Sequence, residues 1–402
     1  MSEQQTAGAQ ALEVLQGSIG THGGFMAISK TTFGGRVPEA RAPNYYNVWA
    51  RDGVICGLAG VASGDAHCLD ALGVTLIMLG RNAGPVGQIP SNVTPYATGN
   101  DGVSYGGNAG RVDATLWWLV GLGVYGHAMH DDAFVRGWWG GVTKAVELLR
   151  AWEFNAGGLL YVPQAGDWAD EYVLSGYVLY DQALRLLALR WVAYWSERLF
   201  GNDHLLRTVV HTKSGKVVEE QDTDRVQRAI ERSFAPIGGP SAYRLAAFRP
   251  GGQSTQFDAL GNAIACLAGG GLMTALDYGQ AHLRRRLVPA FHPIITPRDS
   301  EFADLVAAAS GDLRNMPGRY HNGGLWPMVN GFWALALRWV GREDEANDIA
   351  AAIADANRLD GCAFAEFLDA NTGKPGGTWP QAWSAAGQLL ATADPRFLLP
   401  PK

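Results

Sequence analysis

The sequence predicts an all-α fold, an (α/α)6 barrel, and three observations carry the prediction. Apolar residues recur three and four apart over nine segments: 114–130, 136–152, 180–200, 222–234, 258–269, 276–287, 325–340, 343–357 and 381–392. That is the period of a helix with a buried face. Alternating strand patterns are scarce, and "GLLYVP" at 158–163 is the best short candidate. The connections alternate between short turns and elaborate Gly/Pro/Asn-rich loops. One of these, "GRNAGPVGQIPSNVTPYATGNDGVSYGGNAGRVD", is too long for an ordinary connector and too poor in charge for a disordered linker. Paired helices with every second connection elaborated describe a closed double ring. An open solenoid would use similar helices, but no fixed-period repeat is visible.

Composition bounds what such a barrel can do. The 402 residues are 47% hydrophobic and only 17% charged, enough apolar material for one large core. No composition break divides the chain, so residues 1–402 are expected to form a single catalytic domain, with the less apolar stretch 201–256 as an excursion from it. Lys+Arg 32 against Asp+Glu 38, without a basic run, argues against a nucleic-acid partner. No apolar run is long enough for a membrane span, and the N-terminus lacks the basic start and apolar run of a signal peptide. The expected protein is soluble, reduced and cytoplasmic; a homo-oligomer is compatible with the sequence. Cys56, Cys68, Cys266 and Cys362 lack metal-ligand spacing, and His321 has no neighbouring His or Cys. No metal or cofactor is expected. The 14 tryptophans often adjoin Asp, Asn, His or Gly, as a sugar site requires, although core filling would also use them.

Five segments combine aromatic and polar residues in front of predicted helices or in loops. In "NYYNVWARDG", Trp49 precedes Arg51 and Asp52; Asp52 can accept sugar hydroxyls while Arg51 orients it, or the pair is a helix cap with a surface ion pair. In "GRVDATLWW", Asp113 stands where an N-cap belongs, which is its default reading. "GDWADEYVLSGYVLYDQALRLLALR" gathers Asp167, Asp170 and Glu171 around Trp168. Like charges and an aromatic neighbour raise a carboxyl pKa, as a general acid needs, whereas an acidic cluster could simply complement the helix dipole. "FAEFLDANTGKPGGTWPQAWSAAG" sets Glu366 between aromatics. Two acids far apart in sequence, each beside aromatics, fit the two-carboxylate scheme of glycoside hydrolysis. Finally, "RYHNGGLWP" places His321, Asn322 and Trp326 around paired glycines that let backbone approach a ligand. No phosphate loop, zinc motif or nucleophile elbow competes.

Taken in order, these segments resemble the neutral/alkaline invertases, a glycoside hydrolase family on an (α/α)6 barrel. Trp49, Arg51 and Asp52 match the family's aromatic-rich "RD" segment, and Val112 to Trp118 its "VDSGLWW". "FDALGN" at 257–262 is similar to its "FFALGN", and Tyr320 to Pro327 nearly reproduce its "YHNGGSWP". "FAEFLD" and "QAWSAAG" resemble its "WPEYYD" and "QTW-AG", the latter through Gln381. The likeness spans roughly residues 45–390. It implies that Asp170 is the general acid, since Gly176 and the stretch Tyr180 to Leu184, including Gln182, follow at the family's spacing. It implies that Glu366 is the base and that the reaction inverts. The other residues it marks as substrate-binding are Trp49, Arg51, Asp52, Asp113, Trp168, Gln182, His321, Asn322, Trp326 and Gln381. The chain departs from the family where two arginines after the acid become Glu171 and Tyr172, where a third becomes Thr378, and where a glutamate becomes Tyr180. "DWADEY" also looks like the acid segment of debranching-type and trehalase-like barrel glucosidases.

The leading expectation is therefore an inverting hydrolase of a small α-glucoside, sucrose first. An exo-α-glucosidase for another disaccharide, glycosylated solute or short oligosaccharide is the alternative within hydrolases. A sugar epimerase or isomerase, or a non-catalytic sugar-binding barrel, would be a different class. Epimerisation usually needs a histidine pair, and His321 stands alone in a convincing cluster.

Overall fold

The structure, a computed structural model, describes residues 3–31, 43–95, 102–107, 110–202, 204–211, 217–236, 241–309 and 311–401. Parts of the long loop before Asp113 and of the 201–256 excursion lie outside these residues. Thirteen α-helices are described: α1 (Glu3–Gly17), α2 (Ala50–Ser63), α3 (Ala66–Arg81), α4 (Asp113–Ala128), α5 (Asp132–Ala151), α6 (Leu179–Phe200) and α7 (Asp222–Ser233). They continue with α8 (Ala259–Ala268), α9 (Met273–Ala281), α10 (Glu301–Ala308), α11 (Pro327–Trp339), α12 (Glu343–Cys362) and α13 (Ala382–Leu390).

Six of them close a ring, because α2 packs on α4, α4 on α6, α6 on α8, α8 on α11, α11 on α13, and α13 back on α2. The others back this ring: α3 lies against α2, α5 against α4, α7 against α6, α9 against α8, α12 against α11, and α1 against α13. The chain thus alternates between inner and outer helices, with short α10 as an extra element. This is the double-ringed (α/α)6 architecture.

Sequence explains which helices go inside. An inner helix touches neighbours on nearly every side, so it is apolar all round and not striped. In α8 all ten residues are buried, and in α2 every residue from Ala50 to Gly60 is. Glycines set the distance between rings. A Cβ on Gly57 would meet Leu72 Cδ1 at 2.4 Å, and one on Gly60 would meet Cys68 Cβ at 2.6 Å, so α2 can approach α3 only without those side chains. Between α11 and α13 the contact is backbone to backbone, since a Cβ on Gly331 would lie 2.5 Å from the Gly387 carbonyl oxygen.

The expected strand at 158–163 is absent; only Val162 forms a single bridge, to Gly176. The strands that are described are short, and three of them lead straight into inner helices. Tyr177–Val178, Leu245–Arg249, Gly252–Asp258 and Phe291–His292 form an antiparallel sheet in that order, and two of these strands run straight into α6 and α8. Val48–Trp49 enters α2 as the edge of a three-stranded sheet, and the hairpin Phe367–Leu368/Pro375–Gly376 begins right after Glu366. Within the 201–256 excursion, α7 belongs to the outer ring and the strand residues 245–256 belong to the mouth sheet.

Candidate active site

Inner and outer helices alternate along the chain and run in opposite senses, so the inner N-termini share one rim. Most of the polar-aromatic segments noted above precede those N-termini. Arg51 and Asp52 lie in the first turn of α2, Asp113 begins α4 and Asp181 sits in the first turn of α6. Asp258, Trp326 and Gln381 occupy the N-cap positions of α8, α11 and α13. The positive ends of six helix dipoles therefore point at one place, which favours carboxylates there.

A cavity of about 170 Å³ opens at this rim. Its aromatic walls are Tyr45, Trp49, Trp168, Tyr320, Trp326 and Trp383, and its polar groups include Arg51, Asp52, Asp170, Arg314, Glu366 and Gln381. Asp170 and Glu366 thus share one chamber. Glu366 is buried; its carboxylate accepts the Thr378 N–H at 2.8 Å and the Tyr45 hydroxyl at 3.2 Å. Burial and the neighbouring Glu366 push the Tyr45 phenol well above its ordinary value, so it stays a donor. Burial likewise raises the Tyr320 phenol, helped by the charges of both Asp170 and Glu366. Tyr320 lines the same cavity as both acids.

The three acids around Trp168 divide in an unexpected way. Burial would raise Asp170, but the Arg111 guanidinium paired with it, and Arg51 behind, outweigh burial and hold it below the usual aspartate range. The raised carboxyl is Asp167, lifted by burial and by Asp113 and Asp170 to about 7 despite its bond to the Ala169 N–H. Asp167 does not line the cavity, and its backbone oxygen accepts from both Arg51 and Arg111. Like-charge repulsion thus acts on the buried neighbour, not on the acid that faces the chamber. Burial also raises Asp52, to about 6, in spite of Arg51 beside it.

His321 is buried and neutral, its pKa lowered by burial to about 3. It stacks on Trp326 at 4.9 Å and meets the Trp168 ring edge-on at 4.8 Å. Both ring nitrogens lack a hydrogen-bond partner within the protein although the ring lines the cavity. Buried polar atoms rarely go unpaired, so these are fit to meet a polar ligand. The sequence casts Trp326 as a flat wall for a sugar. It does border the cavity, and it also holds its neighbours: His321 stacks on it, as Phe367 does at 5.6 Å, and its indole N–H goes to the Tyr320 carbonyl.

Three other candidates lie behind the wall. Asn322 donates to Ile295 O and Asn315 O and accepts from Ile295 N, which clamps its loop. Gln182 spends its amide on both backbone groups of Leu160, at 2.8 and 3.0 Å. Asp113 is not the expected N-cap; it is the first helical residue and pairs with Arg51 at 2.8 Å and the Tyr180 hydroxyl at 3.1 Å. Gln381 does line the cavity beside Asp52, with its amide nitrogen toward Ala27 O and its oxygen toward Trp383 Nε1. Tyr45, Tyr320 and Trp383 stand in the quoted segments without a local feature that singles them out, while Arg111 and Arg314 are lone loop cations with no sequence signal. These two arrive from other loops than the family's arginines next to the acid. Where the family has those arginines, Tyr172 is buried and stacked on Phe291.

Positive φ angles at non-glycine residues flank these groups: Ala165 (58°), Glu171 (58°), Tyr320 (50°) and Phe364 (46°). Such strain costs about 1–3 kcal/mol per residue and collects at functional sites. Among the described residues no group of three or more His, Cys, Asp or Glu could hold a metal ion, and no helix is long and apolar enough to cross a membrane.

The architecture is that of the (α/α)6-barrel glycoside hydrolases. Residues 237–394 match the family described as alkaline and neutral invertase, a stretch that includes His321 and Glu366 but not Asp170. Among solved structures, the GH63 mannosylglycerate hydrolase of Thermus thermophilus in complex with glucose is similar at a TM-score of 0.66 and 16% identity, covering 95% of this chain and 98% of that one. A bacterial glucoamylase complexed with acarbose matches at 0.66 and 14%, over 98% of this chain and 56% of that one. The GH78 rhamnosidase of Bacillus sp. GL1 matches at 0.59 and 15%, over 96% and 35%. No curated protein sequence matches the chain.

Proposed function

We propose that this protein hydrolyses a small α-glycoside with inversion, Asp170 protonating the leaving oxygen and Glu366 activating water. The observation that carries this reading is the meeting of the two carboxylates in one aromatic-walled cavity at the barrel mouth, where among the described residues no third acid but Asp52 reaches. Asp52, Gln381 and His321 would grip hydroxyls, and Trp49 and Trp383 would flank the ring. A bound sugar excludes water from Asp170, which raises its pKa against the pull of Arg111.

Sucrose is the first substrate to test. A glycoside whose aglycone carries a carboxylate is a second reading, supported by Arg314, a half-exposed guanidinium in the cavity wall whose nearest carboxylate, Glu171, is 4.0 Å away. A structurally similar protein is a mannosylglycerate hydrolase. Glucose release from α-linked disaccharides and from glycosylated hydroxy acids separates the two.

Asp170→Asn and Glu366→Gln should each lower kcat by about 10²–10⁴ with the thermal unfolding curve unchanged. Near-normal turnover in either variant overturns the assignment. Proton NMR of early product should show the β-anomer first, and initial α-anomer would reject inversion.

A further inference from the structure

We propose that Glu366 receives its water through a second opening, separate from the one the sugar uses. The inference rests on the hydrolytic reading above and adds a route to it. Next to the carboxylate lies a small void of about 20 Å³. Buried Glu366 and Tyr320, with Tyr45 and Gly377, line it together with Arg314 and Arg319. Arg319, whose side chain is 46% exposed and which does not line the sugar cavity, places the outer edge of the void at the protein surface.

Its size and chemistry suit one water molecule. A water needs about 10–15 Å³ and two to four polar partners. The Tyr45 hydroxyl, the Glu366 carboxylate and the Arg314 guanidinium are at hand. The space exists because position 377 has no side chain: a Cβ there would lie 2.2 Å from Glu366 Oε2, and its φ of 78° suits glycine. Tyr45, Tyr320, Arg314 and Glu366 line both this void and the main cavity, so only the base and its neighbours separate them.

The reaction gives the route its purpose. Each turnover consumes one water: its oxygen bonds to the anomeric carbon and its proton passes to Glu366. The glycosidic C–O bond breaks and the leaving oxygen takes the proton of Asp170. Inversion requires that water on the face opposite the leaving group. With a glycoside seated in a cavity of about 170 Å³, the aglycone occupies the mouth. Water arriving beside Glu366 meets no such obstacle. Arg319, which faces the Asp369 carboxylate at 3.7 Å, forms the outer edge of the route and lines the void but not the sugar cavity.

Two measurements test the route. Arg319→Trp should plug it and lower kcat roughly tenfold with KM within about twofold, while Arg319→Gln keeps kcat near the parent value. An unchanged kcat in Arg319→Trp, or equal losses in both variants, overturns the proposal. A high-resolution crystal structure of the sugar-bound protein should hold an ordered water in the void, bonded to Glu366 or Tyr45; a dry or sealed void there also overturns it, even if Arg319→Trp fails to fold. If Asp170→Asn and Glu366→Gln abolish turnover while these tests fail, only the water route falls. If those two variants stay active, the hydrolytic reading itself falls.

Discussion

Two groups of buried carboxylates, only a helix apart, are treated in opposite ways. On the outer side, Glu153 pairs with Arg185 and Arg225, and Asp222 bonds Arg225 at 3.0 Å, Arg150 Nε at 2.9 Å and the Thr208 hydroxyl at 2.6 Å. Burial would raise Glu153, yet the two arginines bring it down to about 2. Under the mouth, by contrast, both carboxyl oxygens of Asp181 and one each of Asp167 and Asp258 have no partner within the protein. Burial raises all three, Asp167 and Asp258 to about 7, and mutual repulsion adds to it. The first group ties α5, α6 and α7 together. In the second, Asp181 and Asp258 sit at the N-termini of α6 and α8 and Asp167 in the loop before α6, beneath the cavity, where stability is commonly sacrificed to function.

The largest effect expected from this contrast is on the satisfied group. Glu153→Ala strips Arg185 and Arg225 of their shared partner inside the protein, and should cost about 3–5 kcal/mol in urea unfolding. Activity per folded molecule should hold, because none of these residues lines the cavity. Since the folded state lowers the Glu153 pKa, its contribution is present at neutral pH and disappears as pH falls towards about 2. A loss below about 1 kcal/mol would show that the network adds nothing a solvated surface could not supply.

The under-satisfied group should respond with the opposite sign. Asp258 caps α8 through the Gly261 N–H at 2.9 Å, a bond asparagine can keep. Its raised pKa means that stability is full below the unfolded value and is lost as pH climbs through about 7. Asp258→Asn, a mimic of the protonated acid, should therefore match the parent near pH 4 and exceed it above pH 7, by up to ~4 kcal/mol. Melting temperatures across that range decide. A variant less stable at every pH would mean that the ionised carboxylate is held by groups beyond the Gly261 N–H.

The same contrast explains what could be read from the chain. Eight of the nine periodic segments match helices along most of their length, because each has a face or a whole surface of apolar side chains, whereas 276–287 is helical only to Ala281 and ends in a turn. Helix α2 has no such period: "ARDGVICGLAGVAS" buries glycine and alanine on all sides and leaves no stripe. The mouth sheets are equally silent, because strands of two residues have no room to alternate. The segments that carry Asp170 and Glu366 were legible as acids set among aromatics, whereas the choice of Asp170 over Asp167 and Glu171 rested on the family resemblance. Arg111, which reverses the expected pKa of Asp170, was not legible; it reaches the acid across more than fifty residues of chain, as a single cation in a loop. Local sequence names the groups at this site but not the charges that tune them.

That tuning can be tested directly. The descending limb of kcat/KM against pH reports the pKa of the free enzyme's essential acid. With Arg111 in place, Asp170 is held low, so the limb should begin on the acidic side of the usual range for a glycosidase acid. Arg111→Gln removes the cation, lets burial and the neighbouring acids act unopposed, and should move the limb to higher pH by about one unit or more. Arg111→Lys, which keeps the charge, should leave it nearly in place. Arg111 also holds the Asp167 carbonyl, so either variant can lower kcat by loosening the loop. A loosened loop lowers the whole profile without displacing it along the pH axis. A limb that stays put in Arg111→Gln while Asp170→Asn is inactive would therefore separate Asp170's proton from the limb and assign that titration to Asp52 or Asp167, the two acids near the chamber raised to about 6 and about 7.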